Sequence, residues 1–434
     1  MDAAIGQFLA AKVWALDARA RRLARLDPGS VGIRTQDRPF APSEAHFRSA
    51  NRRLAEVDGA IRQQLERVHG ILASPDASPQ DILVRAALVE RQIDRARRAY
   101  GLFFDVFSQR GTRFALALAA CDAVAADCFS AMRSTVPDLM GGPLLKPLTY
   151  LKHSFSPATF RRGVMLRRLL GERNPFPLVR IPYERIESPW GMGVLLHEVG
   201  HNLHADLGIW QETQSAVQQR VLRSTRNPWL ARIWARWHKE IFADLLAILL
   251  GGPASTRSMK DFLAYPPSRV LSFNPLSAHP TPYLRAFLMT EFVRRIGFPT
   301  EARRTNGIWR RLYDGHLHAA RIPRLLLDTA PVLIPAVIDE LGFQPRRNLA
   351  HHALVDILPF TLADERRIRE GARMLLGGKI PVDLPPRHLV SASRYAFDAN
   401  TTPAEELSQL VLGHLSRRSP PVSGTPKPVA AFAA

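Results

Sequence analysis

Apolar residues in the first third of the chain recur at the spacing of buried helix faces. Beyond Pro42-Ser43, one apolar position returns every seven residues, at Phe47, Leu54, Ile61 and Val68. This is the pattern of a heptad-like amphipathic helix. Residues 74–77 interrupt it, and Ser78-Pro79 predicts the start of a second helix that continues to about Gln109. We therefore predict an antiparallel helical hairpin and then a more apolar helix over 113–132. The hairpin would serve as a lid or partner-binding arm or, more simply, pack as a plain bundle.

The pattern changes in the middle of the chain. Eight prolines between residues 134 and 189 break up regular structure, and only residues 176–181 predict a short strand. Two apolar helices follow. One is predicted to begin at Ser188-Pro189 and to end before Gly208, and the other to begin at Asn227-Pro228. The rest of the chain predicts further helices that are interrupted by prolines.

Composition places the chain among ordinary globular proteins. It has 434 residues, of which 46% are apolar and 23% charged, so it should form two or three domains with a sizeable core. The net charge of +20 suggests binding to nucleic acid or to an anionic surface. However, the basic residues are mostly arginines scattered along the whole chain, and no nucleic-acid motif accompanies them. We therefore predict no specific nucleic-acid partner.

The sequence predicts a cytoplasmic protein without a transmembrane segment. Cys121 and Cys128, the only cysteines, lie seven residues apart on one predicted helix, too far apart for a disulfide, which favours a reducing compartment. The first nine residues lack the basic start of a secretory signal. The most apolar stretch, 114–132, contains Asp122 and Asp127, which would be costly inside a bilayer. The oligomeric state cannot be predicted from these features.

One pentapeptide indicates a chemistry. Residues 197–201 read His-Glu-Val-Gly-His, and positions i and i+4 of a helix lie on the same face. His197 and His201 can therefore bind one zinc ion, while Glu198 points to another side, from which it can act as a general base on the metal-bound water. The alternative is a polar stripe on a buried helix.

A catalytic zinc usually takes three protein ligands, so a third is needed. His204 lies seven residues beyond His197, too far along a continuous helix to share one ion. The metzincin pattern also fails, because His204 occupies the position of its glycine and Leu207 that of its third histidine. Downstream, Glu240 and Asp244 fall on one face of an apolar helix, where two carboxylates need a partner.

We therefore predict Glu240 as the third ligand and Asp244 as the acceptor of a hydrogen bond from a ligand histidine. The alternative is an ordinary acidic pair that forms salt bridges with Arg232, Arg236 or Lys239. Together with the pentapeptide, the Glu240-x-x-Ala243-Asp244 segment resembles the gluzincin metallopeptidases, and is most similar to the HtpX and CAAX-prenyl-protease type.

A third match comes in the same order along the chain, at His279-Pro280 with Arg285 six residues after the histidine. The resemblance covers about residues 188–298. It implies that His279 and Arg285 stabilise an oxyanion, with Tyr283 a weaker candidate for the same role. It also implies that the strand over 176–181 lines the cleft and pairs with an extended substrate.

We accordingly predict a mainly α protein with a zincin-like metallopeptidase core that includes a short strand or sheet. It would hydrolyse peptide bonds in a protein or peptide substrate by a zinc-bound water, with Glu198 as general base. The alternatives are a catalytically inactive zinc-binding scaffold and an Arg-rich nucleic-acid-binding protein. The expected segments are a helical arm (1–135), the peptidase core (136–300), a helical C-terminal region (301–418) and a disordered Pro-rich tail (419–434).

Overall fold

The computed structural model describes residues 1–23, 25–74, 76–140, 145–153, 157–164 and 173–417. The chain is mainly helical and contains a small three-stranded sheet, which confirms the predicted mainly α class. It divides into two compact units. Residues 1–115 and the described parts of 163–175 form the first, and residues 116–162 and 176–417 belong to the second. The predicted tail, 419–434, lies outside the described residues.

The first unit is built from three helices, α1 (Ala3–Arg22), α2 (Glu44–Leu72) and α3 (Pro79–Phe107), with 3₁₀ turns at Thr35–Phe40 and Ser108–Gly111. The seven-residue stripe of α2 is buried as predicted, and it packs with the apolar faces of α1 and α3. The helix predicted after Ser78-Pro79 also forms. Pro79 occupies its first turn, and the Ser78 hydroxyl accepts a hydrogen bond from the Gln80 backbone N–H. The predicted helical hairpin is therefore confirmed.

Helix α4 (Ala115–Thr135) is the apolar helix predicted over 113–132. By length and composition it is the one helix among the described residues that could cross a membrane, and 67% of its most apolar window is buried inside the protein. Asp122 bonds the Thr149 backbone N–H at 2.7 Å, so this acidic group has a partner within the fold. Because a buried core helix has the same composition, the absence of a transmembrane segment stays a prediction.

The sheet contains β1 (Leu148–Leu151), β2 (Ala158–Phe160) and β3 (Leu178–Ile181), in the order β1-β3-β2. Strand β3 corresponds to the strand predicted over 176–181. It pairs in parallel with β1 and antiparallel with β2. Both edges of β3 are therefore occupied, and the expectation that this strand pairs with substrate is wrong. Within the described residues, the outer edges of the sheet belong to β1 and β2.

Two helices at the centre of the second unit, α5 (Gly193–Asp206) and α7 (Pro228–Gly251), pack directly against each other. Helix α7 starts as predicted, because the Asn227 side chain accepts bonds from the next turn. The predicted start of α5 at Ser188-Pro189 is wrong, since Pro189–Gly191 forms a separate 3₁₀ turn. Gly208, at φ +66°, follows α5 as the predicted helix-ending glycine.

Further helices surround this pair. Helix α6 (Trp210–Thr225) connects α5 to α7 and packs along α7. Helices α8 (Pro253–Leu263) and α10 (Pro282–Arg295) also contact α7. The other helices are α9 (Pro267–Val270), α11 (Pro299–Tyr313), α12 (Arg324–Ile338), α13 (Leu354–Ile357), α14 (Leu362–Leu376), α15 (Pro386–Ala399) and α16 (Ala404–Arg417). The long apolar run of α7 explains its central place, because a helix that is apolar nearly all round is stable only when neighbours cover every side.

Candidate metal centre

Helices α5 and α7 come close to each other at two small residues, Gly200 and Ala243. A Cβ atom built on Gly200 would lie only 2.9 Å from the Ala243 carbonyl oxygen and 3.1 Å from its Cα atom. Real Cβ atoms rarely come so near to backbone, so the two helices can pack this tightly only with glycine at position 200. The contact joins the helix that carries His197 and His201 to the helix that carries Glu240.

The three predicted ligands come together at this point. One donor atom from each of His197, His201 and Glu240 lies within 4.8 Å of the others, and the group could hold a metal ion. Glu240 Oε2 is 3.4 Å from Nε2 of both histidines. Glu240 Oε2 is buried, and among the described residues it has imidazole nitrogens at 3.3–3.4 Å but no partner with hydrogen-bond geometry. A buried carboxylate oxygen in this condition is costly, whereas a cation between the three groups would satisfy it.

Asp244 and Arg285 lie behind His197, on the buried side of the group. The carboxylate of Asp244 accepts a hydrogen bond from His197 Nδ1 at 2.8 Å, which leaves Nε2 facing Glu240. Arg285 donates two hydrogen bonds to the same carboxylate, from Nε to Oδ2 at 2.7 Å and from Nη2 to Oδ1 at 2.8 Å. All three side chains are at most 5% exposed. The structure therefore places Asp244 where the sequence predicted it, as a partner of a ligand histidine.

The charges in this group shift one another's pKa values. Burial alone would lower the pKa of His197, but the Asp244 and Glu240 carboxylates outweigh it and raise that pKa to about 9. Burial opposes ionisation of Asp244, yet Arg285 and His197 hold the pKa of Asp244 below its usual value. In the same way, the two histidines keep the pKa of Glu240 well below its ordinary range. Both carboxylates are therefore ionised, whereas His197 must lose a proton before its Nε2 can bind a metal ion.

Glu198 is buried beside the ligands, with 7% of its surface exposed. Burial raises the pKa of its carboxyl group, and the nearby histidines oppose that rise. Its carboxylate makes no hydrogen bond or salt bridge within the described parts of the chain, whereas its carbonyl accepts a bond from Asn202. The same Asn202 amide donates to Thr159 on β2 at 2.7 Å. This hydrogen bond links the edge strand β2 to helix α5, which carries the pentapeptide.

His279 also reaches the group, through Glu240. Its Nε2 atom is 3.3 Å from Glu240 Oε2, yet 61% of its side chain is exposed. His279 thus borders both the ligand group and solvent. Tyr283 is not brought to this place, since its hydroxyl donates to Asp314 at 2.8 Å.

His204 has a different role from the ligand histidines. Its ring is stacked on Phe242, with the ring centroids 4.0 Å apart, and its Nε2 bonds the Thr213 hydroxyl at 3.0 Å. Burial lowers the pKa of His204 well below its ordinary value, with help from the neighbouring His238. It is a neutral core histidine on the unbroken helix α5, outside the metal-holding group, as its spacing predicted.

Sequence reasoning missed two features of this centre. The first is the Gly200–Ala243 contact. The sequence could have indicated it, because each of the two motifs contains one small residue. The second is the Asn202–Thr159 bond, for which the spacing of the residues offered no signal. Comparison of the chain with protein-family models, with curated proteins and with solved structures finds no match.

Proposed function

We propose that this protein is a zinc-dependent metallopeptidase of the gluzincin type, similar to the HtpX and CAAX-prenyl-protease group in its site. The observation that carries the proposal is the unsatisfied Glu240 Oε2, which faces Nε2 of His197 and of His201 at 3.4 Å each. Two ligands of one tetrahedral zinc, each about 2.0–2.1 Å from the ion, are separated by roughly 3.4 Å. The two distances from Glu240 thus match those between the ligands of a tetrahedral zinc, and the histidine nitrogens lie within 4.8 Å of each other.

The donor set supports zinc and a catalytic rather than a structural site. Two imidazoles and one carboxylate are a ligand combination of catalytic zinc, and structural sites are usually closed by four protein ligands. Here three groups meet the distance criterion within the described residues, and the exposed His279 lies beside them. When bound, zinc polarises a peptide carbonyl and lowers the pKa of a water molecule.

Each residue of the chain then has a separate task. Glu198, with its carboxylate free of hydrogen bonds, accepts the proton of the attacking water and passes it to the leaving amine. His279 stands on the solvent side, where it can donate a hydrogen bond to the oxygen that gains charge. Asp244 holds His197 in the tautomer that presents Nε2 to the ligand group.

The contacts support different roles for the two residues of the His-Pro…Arg match. His279 is open to solvent, whereas Arg285 is buried, donates two bonds to Asp244 and has its Nη2 3.3 Å from both ring nitrogens of His197. We therefore infer that His279 is the oxyanion donor, and that Arg285 is a positioning residue acting through Asp244 and His197. Arg285→Lys should then lower zinc affinity, while His279→Ala should leave zinc bound and reduce kcat by about 10²–10³-fold.

The decisive experiment separates zinc binding from hydrolysis. Wild-type protein and Glu198→Gln are incubated with a peptide library, new termini are identified by mass spectrometry, and zinc is measured in both. Glu406→Gln, at an exposed position of α16, is the matched control. We expect full zinc in all three proteins and cleavage in all but Glu198→Gln. If zinc is bound but wild type and Glu198→Gln cleave equally or not at all, the protein is a zinc-holding scaffold.

A further inference from the structure

A second concave site lies in the same unit. Helices α8, α11 and α15 line a cavity of about 340 Å³, near the lower end of the range for small-molecule sites. None of its lining residues belongs to the metal centre. Part of the wall is apolar and part is charged. The apolar part consists of Ala264, Ile308, Trp309 and Leu312.

Lys260 is the unusual member of this lining. It is only 8% exposed, and its Nζ is buried without a hydrogen-bond partner among the residues that the structure describes. Nζ lies 5.9 Å from the centre of the Trp309 ring, where the cation–π attraction is weak. Buried lysines are nearly always paired. Burial lowers the pKa of this amine to about 7, although Glu301 opposes the effect.

The nearby acidic groups are already engaged by arginines. Asp398 accepts from Arg257 at 2.9 Å and from Arg394 at 2.7 Å. Asp261 pairs with Arg394 at 3.2 Å, and Glu301 pairs with Arg257 at 2.6 Å. No acidic group forms a salt bridge with Lys260 within the described residues. Lys260, whose amine lacks an acceptor among the described residues, thus lines the cavity beside an apolar wall.

We propose that this cavity binds a carboxylate attached to a short apolar chain, with the carboxylate on Lys260 and the chain on Trp309, Ile308 and Leu312. The ligand supplies the acceptor that the protein does not. Arg304, exposed at the same lining, adds positive charge at the entrance. A carboxylic acid with an alkyl chain and the carboxyl terminus of an apolar peptide share this chemistry, so the test includes both.

The test is isothermal titration calorimetry on the full chain with sodium octanoate and with acetyl-Leu-Leu as the free acid. Octanol and acetyl-Leu-Leu amide are the matched ligands without a carboxylate. We expect at least one of the two acids to bind one site per chain at millimolar concentration, and neither neutral ligand to bind comparably. Octanoate alone would indicate a free acid as the natural ligand, and the peptide acid alone a peptide terminus. If neither acid binds, or if the neutral ligands bind equally, the proposal is wrong.

Variants then locate the site. Lys260→Met keeps the length of the side chain and removes the amine, so acid binding should weaken at least tenfold. Lys379→Met, at an exposed position, is the matched control and should bind like wild type. Without ligand, Lys260→Met should raise Tm by about 2–4 °C, because an unpaired buried amine is removed. A lower Tm would mean that the amine stabilises the fold itself, and unchanged acid binding would place the site elsewhere. Either result overturns the assignment.

Discussion

Replacement of Gly200 by alanine tests whether the close approach of two helices sets the geometry of the metal centre. The added methyl would lie 2.9 Å from the Ala243 carbonyl oxygen, whereas ordinary contacts begin at 3.4 Å. Because the obstacle is backbone, α5 and α7 must separate by roughly 0.5 Å to accept it. Metal sites tolerate about 0.2 Å in their ligand distances. The distances from the Glu240 carboxylate to both histidines should then no longer suit a shared metal ion.

The expected loss of folding stability is small compared with the expected loss of zinc affinity. Overpacking costs about 1–3 kcal/mol, and replacing glycine by alanine inside a helix gains up to about 1 kcal/mol. The free energy of unfolding should thus fall by about 0–2 kcal/mol. Zinc affinity should fall about 10–100-fold, the scale on which losses in the support of a metal ligand are measured. The variant should fold and still bind zinc poorly.

The assay is a competition titration of zinc against a chelating dye, with thermal unfolding of the same samples. Gly413→Ala is the matched control, because Gly413 lies in helix α16 with nothing within 4 Å of the added methyl. That variant should gain about 0.5–1 kcal/mol and bind zinc like wild type. If Gly200→Ala binds zinc with unchanged affinity, the helix approach does not control the ligand geometry and this reasoning is refuted.

Three further outcomes are expected. Elemental analysis of protein never exposed to chelator should find about one zinc per chain, and its removal should lower Tm; absence of any transition metal would contradict the metal centre. Glu240→Gln should lose most of the zinc, Asp244→Asn should bind it about 10–100-fold more weakly, and His204→Ala should keep it, as measured by the same titration. Burial, aided by the charge of Arg387, lowers the pKa of His388 to about 3. Keeping His388 neutral in the fold therefore contributes fully to the free energy of unfolding above pH 6.5. That contribution is lost as the pH falls toward 3, by about 1.4 kcal/mol per pH unit. His388→Asn should flatten that part of the stability–pH curve in chemical denaturation, and an unchanged slope would contradict the assignment.

The parts of the fold that follow local rules could be predicted from sequence. The repeat in α2 and the Asn227-Pro228 start of α7 depend on periodicity and on capping. The grouping of His197, His201 and Glu240 was also accessible, because polar residues on buried helix faces need a common partner. That argument uses only helix spacing and the cost of burial.

Other features depend on contacts between distant segments. The place of β3 in the middle of the sheet is decided by β1 and β2, which come from elsewhere in the Pro-rich region. The role of Arg285 depends on its reach to Asp244, 41 residues away. Lys260 gave no signal at all, because a lysine on a helix is ordinary until its surroundings are known. The start of α5 was misplaced since Ser188-Pro189 suits a 3₁₀ turn equally well.

If the ligand group holds zinc as proposed, its division between α5 and α7 has a consequence for how the metal is acquired during synthesis. A nascent chain that ends before residue 240 carries both ligand histidines and lacks the carboxylate, and one that ends before residue 285 lacks the arginine that holds Asp244. The first kind of chain would lack a ligand, and the second would have all three ligands without the support of Arg285. Under the proposed function, loading at full affinity would therefore follow the docking of α10. Metal supply then acts late, as a selection step on chains that have already assembled their central helices.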